Sequence, residues 1–331
     1  MRESDKAVVV RGIRKTFGEV VALKDISFDV GRGEVIGLLG PNGAGKTTIV
    51  DILSTLTRPD RGSATVVGYD VASEPAGVRR SIMVTGQQVA VDDMLSGEQN
   101  LVMFGRLYGL SKSTACKRAQ ELLEQFDLVD AGKRRLSTYS GGMRRRIDTA
   151  CGLVVQPQVA FLDEPTTGLD PRSRQAIWDL VASFKKLGIA TLLTTQYLEE
   201  ADALSDRIIL IDHGKIIAEG TANELKQRAG GTFCEIVPRD LKDLGAIVAA
   251  LDSMLPEQHR PMLTPESDRI TIPAPHGTST LIDAVRRLDE ANIELADIAL
   301  HRPSLDDVFL SMTGDPSEIH ALSHLASEAM R

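Results

Sequence analysis

Gly40-Pro41-Asn42-Gly43-Ala44-Gly45-Lys46-Thr47 decides the fold of this chain. It matches the pattern G-x-x-x-x-G-K-[ST]. Before it runs Glu34–Leu39, a short apolar stretch with the look of a buried parallel strand. After it, Thr47–Ser54 has helical character. A strand–loop–helix unit is the context this pattern requires. Its glycines let the backbone curl until several N–H groups point inward at phosphate oxygens. The helix N-terminus adds the positive end of its dipole. Lys46 has the reach to grip the outer phosphates, and the Thr47 hydroxyl suits Mg²⁺. The loop therefore reads as a binding site for a nucleoside triphosphate, with Thr48 beside it.

Working outward, Val159–Leu162 is a second apolar run, ending in Asp163 and Glu164. Asp163 is placed to hold Mg²⁺, through water. Glu164 lies one residue further on, where a carboxylate serves as general base if it reaches the attacking water.

Strands also read at Ala7–Arg11, Val20–Val30 and Ile189–Thr194, and helices at Pro171–Leu187 and Leu198–Leu204. Arg207–Asp212 and Lys215–Glu219 flank His213-Gly214, a hairpin signal. Strands alternating with helices imply an α/β layered domain with a largely parallel sheet. Residues near 87–155, helical in periodicity, interrupt it. The pattern pauses near Arg228-Ala229-Gly230-Gly231. After it the order reads strand 232–238, helix 240–254, strands 261–264 and 269–273, helix 277–291, strand 294–301, which is the split βαβ or ferredoxin-like arrangement. A short helix over Ser304–Met312 and a tail over 315–331 are expected. The expected domains are 1–229, 230–314 and the tail.

The chain has 331 residues, 42% of them apolar and 25% charged, ordinary for globular proteins. Residues 1–229 carry 30 basic and 29 acidic side chains, and residues 230–331 carry 8 and 17. The first part is near neutral and the last strongly acidic, a poor match to nucleic acid, whose phosphates demand a basic surface. Cys116, Cys151 and Cys234 are scattered, without metal-ligand spacing, and read as thiols of a reducing compartment. No uncharged apolar stretch approaches the roughly 20 residues of a membrane span. The start, Met1-Arg2-Glu3-Ser4-Asp5-Lys6, lacks a signal-peptide core. The expectation is a cytosolic chain that needs a partner to reach a membrane.

Tyr139-Ser140-Gly141-Gly142-Met143-Arg144-Arg145-Arg146 lies upstream of the acidic strand end. With it, the sequence resembles the ATP-binding cassette (ABC) ATPases. Their signature is usually Leu-Ser-Gly-Gly-Gln; here Tyr139 and Met143 replace its flanks. The resemblance implies an α/β P-loop NTPase core with a helical subdomain near 87–155, followed by the small α+β ferredoxin-like domain. It implies ATP and Mg²⁺ as cofactors, bound by Gly40, Pro41, Asn42, Gly43, Ala44, Gly45, Lys46, Thr47 and Thr48. It assigns Ser140, Gly141, Gly142 and Met143 to the γ-phosphate held on another copy. Gln87 falls at the loop that senses Mg²⁺ and membrane partners, or is a solvated loop glutamine. Gly168-Leu169-Asp170 falls at the loop that crosses the dimer interface. Phe17 takes the place of the aromatic that stacks on adenine, or is a core aromatic. Arg144–Arg146 read as a salt-bridged helix start, His213 as a turn residue and Cys151 as core.

One departure concerns the chemistry. The family usually has a histidine before Tyr-x-Glu-Glu-Ala, and here Thr194-Thr195-Gln196-Tyr197-Leu198-Glu199-Glu200 puts Gln196 in its place. An amide orients water or phosphate, as glutamine does in small GTPases, but carries no proton near neutral pH. Glu164 is therefore expected to be the base, with Gln196 positioning and Lys46 holding charge.

Gln196, with the ending His301-Arg302-Pro303-Ser304-Leu305-Asp306-Asp307-Val308-Phe309-Leu310, looks like the daunorubicin/doxorubicin-resistance type of export ATPase. Ser81–Gln88 and Ser137–Met143 look closest to its mycobacterial members, linked to export of phthiocerol dimycocerosate lipids. The implied partners are a second copy and two membrane-spanning permease subunits, which contact the lipid or drug, at the cytoplasmic face of the plasma membrane. Two other readings stay open: a soluble cassette ATPase acting on nucleic acid or ribosomes, and a drug-sequestering nucleotide-binding protein. Aromatics at 4% give little material for the latter.

Overall fold

A computed structural model describes residues 5–85, 91–228, 232–255, 268–301, 304–305 and 308–309. The chain divides into two compact units, Met1–Ala222 and Asn223–Arg331.

The first unit opens with two long strands, β1 (Lys6–Phe17) and β2 (Val20–Gly31), joined by a tight turn. β3 (Val35–Leu39) is buried at every position, as expected of a strand covered on both faces. It leads through the glycine loop into α1 (Lys46–Leu53). There follow β4 (Arg61–Val66), β5 (Tyr69–Asp70), α2 (Pro75–Ser81) and β6 (Ile82–Thr85). Three helices come next: α3 (Gly97–Leu107), α4 (Lys112–Gln125) and α5 (Gly141–Gly152). The unit then returns to alternation with β7 (Val159–Asp163), α6 (Pro171–Lys186), β8 (Ala190–Thr195), α7 (Leu198–Leu204), β9 (Arg207–Asp212) and β10 (Lys215–Gly220).

Among the described residues these strands form two sheets. One runs β10-β9-β3-β8-β7-β6, parallel except for the β9–β10 hairpin. His213 turns that hairpin, with φ 44°. The other, β2-β1-β4-β5, is antiparallel. A core of Val8, Ile26, Phe28, Ile36, Leu38 and Ile49, with others, lies between the sheets and α1. A second core, including Leu101, Leu122, Ile147, Cys151, Leu162 and Phe184, supports the other face. Burial pushes the Cys151 thiol far up, as befits a core cysteine.

The parallel order has a consequence for the site. β3 lies between β8 and β9, and β8 lies between β3 and β7. The C-terminal ends of β3, β7 and β8 therefore stand side by side, the edge at which open parallel sheets bind ligands.

α8 (Ala222–Arg228) starts on the last residue of the first unit and otherwise belongs to the second, which continues with β11 (Phe233–Pro238), α9 (Leu244–Leu251), β12 (Ile270–Pro273), α10 (Thr278–Glu290) and β13 (Leu295–His301). β11 is central, antiparallel to β12 on one side and to β13 on the other. That is the order the split βαβ arrangement requires of its first, third and last strands. Ile236, Ile247, Ile272 and Ala284 are among its core residues. The expected strand at 261–264 lies outside the described residues, as do the tail at 315–331 and most of the expected helix from Ser304 to Met312.

Candidate active site

The glycine loop is forced by its neighbours. A Cβ on Gly40 would run into the Ile211 carbonyl. Gly45 has φ 108°, a region L side chains avoid, and a Cβ there would lie 2.7 Å from Leu23 Cδ2 and 2.9 Å from the Ala22 carbonyl. Gly45 also begins α1 with no side-chain cap. The first-turn N–H groups of α1 are thus left for a ligand, as the orphan donors of a helix N-terminus are. Asn42, Gly43 and Thr47 are exposed, Pro41 and Thr48 half-buried, Ala44 buried.

Lys46 is 4% exposed. Its Nζ donates to the Gly40 carbonyl at 2.8 Å and the Pro41 carbonyl at 3.1 Å. It also pairs with Glu164 Oε1 at 3.4 Å. Burial pulls the ammonium below the ordinary lysine range, while Glu164 and then Asp163 draw it back up.

Glu164 follows β7 with φ 49°, in the left-handed region. Strain of this kind persists where the surroundings over-determine the backbone, and here they do. Its N–H faces both Thr194 Oγ1, at 3.0 Å, and the Thr194 carbonyl, at 3.1 Å. Its Oε2 accepts from Thr167 Oγ1 at 3.3 Å. Thr194 Oγ1 donates to Asp163 Oδ1 at 2.5 Å. β7 and β8 pair so that Asp163 sits opposite Thr194. A threonine at the end of the neighbouring strand therefore orients the Asp163 carboxylate and holds the backbone of Glu164. Sequence reading quoted Thr194 and gave it no task; the parallel register supplies the signal.

Asp163, 3% exposed, and the exposed hydroxyl of Thr47 are hard oxygen donors. They fit Mg²⁺, which takes one or two protein oxygens and completes its shell from phosphates and water. Gln87 lies outside the described residues.

A second group forms around α5. Ser140 caps this helix, its Oγ accepting from Met143 N at 3.3 Å. The Ser140 O–H proton stays free to donate. Ser140 and Gly141 are exposed, Gly142 and Met143 half-buried. A Cβ on Gly142 would strike Ser173 Oγ. Asp170 caps α6, accepting from Arg172 N, Ser173 N and Ser173 Oγ. Those bonds, the Ser173 hydroxyl first, hold the Asp170 carboxyl below its usual range. The residues expected for the signature and for the dimer loop thus pack together. Tyr139, in the usual leucine position, is buried and donates its O–H to the Ala131 carbonyl at 2.7 Å.

Arg145 joins the two groups, which sequence reading missed. Arg144 and Arg146 do form surface pairs, with Asp93 at 3.1 Å and Asp127 at 3.8 Å. Arg145 instead points inward. Its guanidinium donates to the Pro165 carbonyl at 3.1 Å and reaches the Asp163 and Glu164 carbonyls at 3.5 Å.

Gln196 is half-buried in the turn between β8 and α7. Phe17 is 50% exposed, which excludes the core alternative, and Lys15 Nζ lies 5.2 Å from its ring centroid.

Residues 23–167 match the family described as "ABC transporter". The whole chain is 81% identical to the full length of the "Doxorubicin resistance ATP-binding protein DrrA" of Mycobacterium tuberculosis (strain CDC 1551 / Oshkosh). It is 44% identical, over 98% of this chain and 97% of the relative, to the "Daunorubicin/doxorubicin resistance ATP-binding protein DrrA" of Streptomyces peucetius. The solved "Structure of ATP binding subunit of ABC transporter" covers 68% of this chain and 93% of its own, at 28% identity and a TM-score of 0.62. A glycine loop, two carboxylates at a strand end and a Ser-Gly-Gly helix start, carried at this level of identity across the full length, make the chain a member of the ABC transporter ATPases, in the group of doxorubicin- and daunorubicin-resistance ATP-binding proteins.

Proposed function

We propose that two copies of this chain drive an exporter by closing around two Mg·ATP and reopening after hydrolysis. The Lys46–Glu164 pair carries the reading: at 3.4 Å it sets the proposed base beside the lysine that would grip the terminal phosphate. Gly40–Thr48 bind the phosphates, and Phe17 stacks on adenine. Ser140, Gly141 and Gly142, with Met143 behind them, meet the γ-phosphate held on the second copy, through a hydroxyl and the N-terminus of α5. Asp170 and Gln87 act at the dimer and metal loops. Glu164 accepts the proton of the attacking water, and Gln196 positions that water or the phosphate. Mg²⁺, held by Thr47, Gln87 and Asp163, supplies neutralising charge to the phosphates. ATP bridging two copies has differential affinity for the closed state, which is what drives such a switch.

The region near Gln87–Asn100 and α3 passes the motion to two membrane-spanning partners. What supports this is a shallow apolar recess lined by Leu95, Glu98, Gln99, Val102 and Met103, with Met94 exposed beside it. No helix of the described residues is long and apolar enough to cross a membrane. With the full-length chain as bait, membrane pull-down is expected to recover polytopic membrane proteins, and Val102→Glu to lose them while ATP binding persists. Recovery of ribosomes or RNA instead would move the reading to a soluble cassette ATPase.

The relatives' names support an anthracycline-type drug as cargo, and the resemblance of Ser81–Gln88 and Ser137–Met143 to mycobacterial members points to a phthiocerol dimycocerosate-like lipid as the alternative, either one contacted by the membrane partners. Residues 230–314 serve as an accessory domain that packs against its twin and limits opening, with 315–331 as a tail. Deletion of residues 232–331 is expected to weaken the ATP-bound dimer on gel filtration; unchanged dimerisation and complex assembly would remove that role.

A further inference from the structure

Under the turn that carries Gln196 lies a buried carboxylate to which the mechanism above gives no task. Glu200, in the first turn of α7, is 1% exposed. Its Oε1 accepts from Trp178 Nε1 of α6 at 3.3 Å. Burial pushes its carboxyl up, against the hydroxyls of Thr195 and Thr166, the Trp178 indole and the charge of Arg174, which draw it down. Even so, Oε2 and the Thr166 hydroxyl each lack a hydrogen bond of good geometry. The carboxylate is held by donors, but not saturated by them.

A carboxylate is costly to bury unless donors converge on it. Here they come from three separate elements. Thr166 follows the exit of β7, two residues after Glu164. Thr195 ends β8, immediately before Gln196. Trp178 and Arg174 belong to α6, which Asp170 caps. Thr195 Oγ1 also accepts from Tyr197 N at 2.9 Å, so the hydroxyl facing Glu200 also closes the backbone around Gln196. Arg174 lies over the Tyr197 ring, 5.5 Å from its centroid, a second tie between α6 and that turn.

We propose that Glu200 is a positioning residue for hydrolysis. It fixes the turn carrying Gln196 in register with the β7 exit, where Glu164 sits, and with the start of α6. The proposal rests on the reading of Gln196 given above. Movement of Asp170 on dimer closure would then reach Gln196 through α6 and Glu200.

The test uses the full-length chain, with ATP binding and steady-state turnover measured on each variant. Glu200→Gln keeps the size and one acceptor oxygen but sets an amide N–H₂ against the Trp178 N–H that donates to the carboxylate and the threonine hydroxyls that face it. Thr166→Val is close to isosteric and removes one of those hydroxyls; it decides the matter if Glu200→Gln does not fold. Both are expected to lower kcat, by up to about 10²-fold, the loss that a misplacement of about 1 Å can cause, with KM and ATP affinity unchanged. Placed on Gln196→Ala, neither is expected to slow turnover further, because residues acting as one unit are non-additive. A slow Gln196→Ala beside a wild-type Glu200→Gln overturns the role of Glu200 alone. Multiplying effects, or a raised KM with intact kcat, also overturn it. Wild-type turnover in Gln196→Ala overturns the reading of Gln196, and with it any action of Glu200 through that residue.

Discussion

Glu164→Gln is expected to slow ATP turnover by on the order of 10²–10⁴-fold, the usual contribution of a general base, and to leave ATP-bound protein as a stable dimer on gel filtration. The amide occupies the same volume and still accepts from Thr167, which now meets Glu164 Oε2 at 3.3 Å. Backbone geometry is kept, because the N–H contacts to Thr194 do not involve the side chain. What is lost is the ability to take a proton, together with one negative charge beside Lys46. That charge repels the phosphates, so its removal favours bound ATP while chemistry stops. Monomer alone on the column with ATP, or turnover near wild type, would count against Glu164 as the base.

Arg145→Ala is expected to destabilise the full-length chain by about 3 kcal/mol, the scale of removing one partner from a buried charge cluster. Arg145 is 8% exposed. Burial lowers its pKa, and the Asp148 and Asp163 carboxylates, themselves buried, raise it. Removing the guanidinium leaves those charges with less compensation and deprives the Pro165 carbonyl of its donor. Arg145→Lys is not expected to restore the wild type, because one ammonium cannot span several carbonyls as the planar fork does. The control is Arg144→Ala, whose loss at a partly exposed pair with Asp93 is worth about 0.5 kcal/mol. Urea unfolding midpoints at unchanged slope make the comparison. Equal stability of Arg145→Ala and Arg144→Ala would sink the argument. Turnover in Arg145→Ala is expected to fall as well, since the segment it anchors begins at Glu164.

The sequence by itself determined the glycine loop, the acidic strand end, the Ser-Gly-Gly helix start and the β9–β10 hairpin. Each is a local signal. Glycine spacing, an apolar run with both faces covered, and a cap residue act within a few positions of themselves. The three-stranded order around β11 follows from the alternation of elements by the same logic. The antiparallel sheet β2-β1-β4-β5 was less legible, because Arg61–Val66 is exposed over its first half and shows little apolar patterning.

Only the tertiary structure decided who orients the site. Thr194 meets Asp163 across 31 residues of chain because β7 and β8 pair in parallel, with these two residues opposite each other. Arg145 crosses 20 residues to reach Pro165, while its neighbours in sequence face solvent-side partners. A run of three arginines carries no mark of which one turns inward; the 3.6-residue period of α5, set against the β7 exit, makes that choice. Glu199 and Glu200 are adjacent and alike in chemistry, yet one is exposed and the other buried under the Gln196 turn. Chemistry of a residue type is written in the chain, but desolvation and partners, which set what that chemistry does, exist only once distant segments are packed together.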